Sequence, residues 1–158
     1  MVSTNYVEEF EQCWLPQITN AGLNRLIELL EKGSPFLTHG SFHSGPLRGC
    51  LATHIAWNHP QTCYLDEDAG VFWLTKIAHL NPATSKVILS WDELGQANWY
   101  MRMELVRLLR MEKEHRENFK ETAIENASTA PSGNLQNSIE LESTRSQKNP
   151  LIISKHLK

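Results

Sequence analysis

Five of the seven histidines and two of the three cysteines fall between His39 and His79, the one stretch where reactive side chains concentrate. His39, His43, Cys50, His54, His59 and Cys63 are the residue types that borderline metals such as zinc take as ligands. If Cys50 and His54 share a helix, they are four positions apart and project to one side. The flanking loops, carrying His39 and His43 before and His59 and Cys63 after, would then supply further donors. Such a site would hold zinc or another transition metal through a subset of the six. The spacing matches no paired C-x-x-C finger, however. The competing reading is structural: Cys50, His54 and Trp57 lie beside Leu51 and Ile55 on what reads as a core-facing helix. On that reading His54 is a neutral histidine bonded to a backbone carbonyl.

The same pair suggests a second chemistry, because an imidazole lowers the pKa of a neighbouring thiol and releases a nucleophilic thiolate. Gly49 and Leu51 form no nucleophile motif around Cys50, and no orienting Asp or Asn can be assigned. The sequence therefore designates no catalytic residue. Gly40-Ser41-Phe42-His43-Ser44-Gly45 is no nucleophile elbow, lacking a central serine, and no phosphate loop, since Pro46-Leu47 replaces the required Lys-Ser. It reads as a connecting loop.

These residues need elements to position them, and the hydrophobic pattern is helical. Val7, Phe10 and Trp14 lie on one face of a helix from Asn5 to Leu15, halted by Pro16. A helix capped by Asn20 carries Leu23, Leu26, Ile27 and Leu30 and stops at Gly33-Ser34-Pro35. A third spans Leu47 to Asn58. Asp66 caps a fourth, whose entry Glu67 and Asp68 complement, and Asn81-Pro82 opens a fifth bearing Val87, Ile88, Trp91 and Leu94. The sixth runs from Gln96 towards Phe119, with Glu112 and Arg116 placed for an ion pair. The Asp68–Leu94 unit invites comparison with a helix-turn-helix, yet its second helix has Lys86 as its only cation, with Asp92 and Glu93 near its end.

A chain of 158 residues with five Trp and five Phe suits one core rather than two. The formal charge of −3 opposes a function based on neutralising many phosphates. The first residues lack the basic flank and apolar stretch of a secretory signal, and no long apolar run suggests a membrane span. With three irregularly spaced cysteines, this points to a cytoplasmic protein with free thiols.

The sequence thus predicts an all-α fold: a single helical bundle of about six helices over residues 1–119, followed by a disordered C-terminal tail over 120–158. Within that tail, Pro150 to Lys158 combines apolar and basic residues in a pattern able to dock on a partner. The leading expectation is a small cytosolic regulatory or adaptor protein acting through protein–protein interaction, with self-association left open. Trp99 and Tyr100 beside Arg102 are its candidate anchor, since aromatics and arginine dominate binding hot spots. The alternatives are a metal-binding or metal-sensing domain using the His/Cys cluster and a helix-turn-helix-like DNA-binding regulator.

Overall fold

A computed structural model describes residues 5–128. They form six α-helices, and no strand occurs among them: α1 (Asn5–Glu9), α2 (Asn20–Lys32), α3 (Leu51–Trp57), α4 (Ala69–Phe72), α5 (Lys86–Leu94) and α6 (Trp99–Ser128). The chain divides into two compact units, Met1–Asn118 and Phe119–Lys158, and the architecture below is that of the first. Helix α6 extends to Ser128, so residues 120–128 are helical rather than part of a disordered tail. The expectations for residues 129–158, including Pro150 to Lys158, lie outside the described residues.

The core is built around α3, whose residues Leu51 to Ala56 are all buried. Gly70 of α4 admits it closely, because a Cβ there would lie 2.5 Å from Thr53 Oγ1 and 2.9 Å from Thr53 N. On the other side, Thr19 ties α2 to α3. Its hydroxyl accepts from Gly22 N at 3.0 Å as the N-cap of α2 and donates to the Asn58 carbonyl at 2.6 Å. The cap is thus Thr19, one residue before the Asn20 suggested by the sequence.

Helices α1 and α4 are shorter than their apolar patterns suggest because each passes into a wider π-helical turn, Phe10–Trp14 and Trp73–Ile77. Each turn carries a fully buried tryptophan, and the Trp14 and Trp73 rings meet edge to face with centroids 5.3 Å apart. The Pro16 stop appears as a 3-10 turn over Leu15–Gln17.

Helix α5 begins at Lys86 rather than Pro82. The Asn81 side chain accepts from Ala83 N and shapes a turn, while Ser85 becomes the N-cap. Glu9 completes that cap from α1: its carboxylate accepts from Ser85 Oγ at 2.5 Å, Lys86 N at 2.8 Å and Val87 N at 3.4 Å, and from Trp14 Nε1 at 3.2 Å. A negative group therefore meets the amide end of a helix distant in sequence.

Two arginines of α6 satisfy carbonyls at the ends of other elements. Arg102 donates to Leu30 O, Glu31 O and Gln96 O, closing the C-terminus of α2 beside the left-handed Gly33. Arg116 forms the expected pair with Glu112 and also donates to Leu15 O, Ile18 O and Asn20 Oδ1.

Candidate functional site

The segment between α2 and α3 is irregular in conformation but firmly held. Thr38 N donates to Gly49 O and Gly49 N to Phe36 O, bringing its two ends together. Phe42 O accepts from Cys50 N and from the Thr53 hydroxyl, which lies 2.6 Å away. Trp91 Nε1 donates to Thr38 O, and Asp92 takes Gly40 N on its carboxylate and His39 Nδ1 on its carbonyl. A loop with its backbone polar groups engaged in this way can present side chains in fixed positions.

Its tip closes through Ser44 N to Arg48 O and Arg48 N to Gly45 O. This turn forces Leu47 to φ +61°, a left-handed conformation that costs a residue with a side chain about 1–2 kcal/mol. Leu47 is also 67% exposed, so no core packing compensates. Leu47 thus combines an unfavourable backbone conformation with an exposed apolar side chain.

Leu47 lines a groove of about 710 Å³ with His43, Gly45, Pro46, Trp57, Asp66 and Glu67. Trp57, the last residue of α3, is fixed by its indole Nε1, which donates to Leu65 O at 3.2 Å and Asp66 O at 3.4 Å. The rings of His43 and His54 meet it edge to face, with centroids 6.1 Å and 5.2 Å away. Asp66 and Glu67 are exposed and, among the described residues, form no ion pair, and no described lysine or arginine lines the groove. Arg48, the loop's own cation, instead lines a smaller pocket of about 280 Å³ with Thr38, His39 and Ser44. The loop thus separates an acidic apolar groove from a pocket containing its positive charge.

The six His and Cys residues singled out by the sequence each have a local environment. No group of three or more His, Cys, Asp or Glu side chains able to hold a metal ion occurs among the described residues. Helix α3 starts at Leu51, so Cys50 is its N-cap rather than a residue within it. The buried Cys50 Sγ lies 3.6 Å from Thr53 Oγ1, and burial raises its thiol pKa. His54 Nε2 donates to Phe36 O at 2.9 Å, and burial lowers its pKa, which favours neutral imidazole. That arrangement opposes a thiolate–imidazolium pair. His59 Nδ1 accepts from Gln61 N, the exposed Cys63 Sγ donates to Pro60 O, His39 is tied to Asp92, and His43 stands against Trp57.

Trp99 and Tyr100 are 59% and 82% exposed and meet edge to face at 5.4 Å, as a surface anchor requires. Arg102 does not join them, because its guanidinium is committed to the end of α2. Within the helix-turn-helix comparison, α5 spends Val87, Ile88 and Trp91 on the core.

Sequence reasoning missed Leu47, Trp57 and the Asp66–Glu67 rim as one surface. The sequence pattern makes Asp66 the helix cap with Glu67 and Asp68 as entry charge, but the N-cap position is two residues later, at Asp68. The sequence signal was Pro46-Leu47, an apolar residue in a turn that has no need of one. Comparison with protein-family models, with curated proteins and with solved structures finds no match to the chain.

Proposed function

We propose that this chain is a small cytosolic regulatory or adaptor protein that acts by binding another protein in the groove between the Gly40–Gly45 loop and Trp57. The observation carrying this reading is Leu47, exposed and held at positive φ on a loop braced from several elements. A merely connecting loop would place glycine or asparagine there at lower cost. Trp57 and Pro46 extend the apolar surface, and its volume lies in the range of specific ligand sites. The three free cysteines suit a reducing compartment, and no described helix is long and apolar enough to cross a membrane.

The test is site-specific photocrosslinking in cells, with a benzophenone amino acid at position 47 and a control at Thr75, exposed in the π-helical turn Trp73–Ile77. A discrete protein adduct at 47, missing at 75 and abolished by Trp57→Ala in a variant that still folds, is the expected result. Equal labelling at both positions, or none at 47, would overturn the proposal.

A further inference from the structure

The groove's charge specifies its occupant more closely. We infer that the groove takes a short segment of a partner protein in which a lysine or arginine neighbours bulky apolar side chains; this rests on the interaction reading above. Three observations converge on that chemistry.

First, Asp66 and Glu67 are exposed residues lining an apolar groove, and neither forms an ion pair among the described residues. An incoming cation would meet two negative charges without displacing an internal partner. An acidic segment would be repelled, so the rim discriminates as well as attracts. Second, Trp57 has no hydrogen-bond donor to spare, since its Nε1 is engaged by Leu65 O and Asp66 O. Its remaining contribution is apolar area, which favours alkyl chains. The lysine and arginine side chains have such an apolar stem, ending in a positive head.

Third, the loop places its own cation elsewhere. Arg48 follows Leu47 directly yet lines a smaller pocket with Thr38, His39 and Ser44 and is not among the residues lining the groove. An open groove of about 710 Å³ has room for one basic and one or two apolar side chains.

Fluorescence polarisation with the full chain and four labelled hexapeptides tests this. The peptides alternate leucine with lysine, leucine with glutamate, leucine with serine, and serine with lysine. The leucine–lysine peptide should bind tightest, and the leucine–glutamate peptide at least about tenfold more weakly. The double variant Asp66→Asn, Glu67→Gln should cost the leucine–lysine peptide roughly three- to tenfold and flatten its salt dependence, because exposed charge pairs contribute modestly and are screened. Leu47→Ser should weaken the leucine–lysine peptide but leave serine–lysine nearly unchanged. Equal affinity for the lysine and glutamate peptides, binding indifferent to the Asp66/Glu67 double variant, or no binding of any peptide would overturn the basic–apolar assignment. Crosslinking at position 47 is independent of these peptides, so an adduct there alongside failure of all four would remove this inference and leave the interaction reading standing.

Discussion

His54 Nε2 donates to the Phe36 carbonyl at 2.9 Å, so a histidine of the buried helix α3 holds the start of the loop that builds the groove. The bond fixes the tautomer with the proton on Nε2, and its ring then stands edge-on to Trp57. One side chain therefore touches both the start of the loop and the Trp57 wall of the groove.

That arrangement makes stability depend on pH. Burial lowers the folded-state pKa of His54, so between that value and the unfolded value of about 6.5 the unfolded chain binds more protons. Stability is therefore complete above about pH 6.5 and is lost as pH falls towards the depressed folded value. His59, lowered by the same cause, acts in the same direction. Urea unfolding between pH 7.5 and 5 should show this decline, and His54→Gln should reduce its slope. An equal slope in that variant would show that His54 is not responsible.

Glu9 offers a second test of the fold, because one carboxylate accepts from Ser85, Lys86, Val87 and Trp14. Glu9→Ala removes the acceptor for the α5 entry and leaves the Trp14 indole without its partner. The expected loss is about 2 kcal/mol, with Glu9→Gln retaining part of the stability. Chemical denaturation of the two variants provides the comparison, and an effect below about 0.5 kcal/mol for alanine would contradict the role.

Thiol labelling should separate the cysteines by burial. Cys63 is exposed, whereas Cys50 is buried with its pKa raised. A disulfide reagent at pH 8 should modify Cys63 rapidly and Cys50 only after unfolding. Fast labelling of Cys50 in the native protein would place it in an accessible site.

Much of the fold was legible because helical periodicity and stop signals are local. Leu23, Leu26 and Leu30 with Gly33-Ser34-Pro35 define α2, and Gly33 adopts the left-handed cap that the pattern requires. The π-helical turns at Phe10–Trp14 and Trp73–Ile77 were not legible, since their apolar spacing also fits an ordinary helix. The start of α5 depended on Glu9, far away in sequence, and on Ser85 outcompeting Asn81 as cap. The groove was the least legible part. It depends on a loop whose path is set by Asp92, Trp91 and Thr53, and these tertiary bonds place Leu47 in a conformation that leucine does not choose.

Leu47 also separates structural from functional cost. Leu47→Gly relieves the left-handed conformation but adds chain entropy to the unfolded state, so stability should change by less than about 1 kcal/mol. Binding of the leucine–lysine peptide should nevertheless fall sharply. A destabilisation well beyond that margin in urea unfolding would mean that Leu47 serves the fold instead.

On the proposed function, the surface formed by Leu47, Trp57, Asp66 and Glu67 receives the partner. Titrating isotope-labelled protein with the leucine–lysine hexapeptide and following backbone and indole N–H resonances tests this most directly. Saturable shifts are expected at Gly45, Leu47, Asp66, Glu67 and the Trp57 indole, with Trp99 and Tyr100 unmoved; shifts concentrated at Trp99 and Tyr100 while the groove resonances stay fixed would rule the groove out as the binding surface.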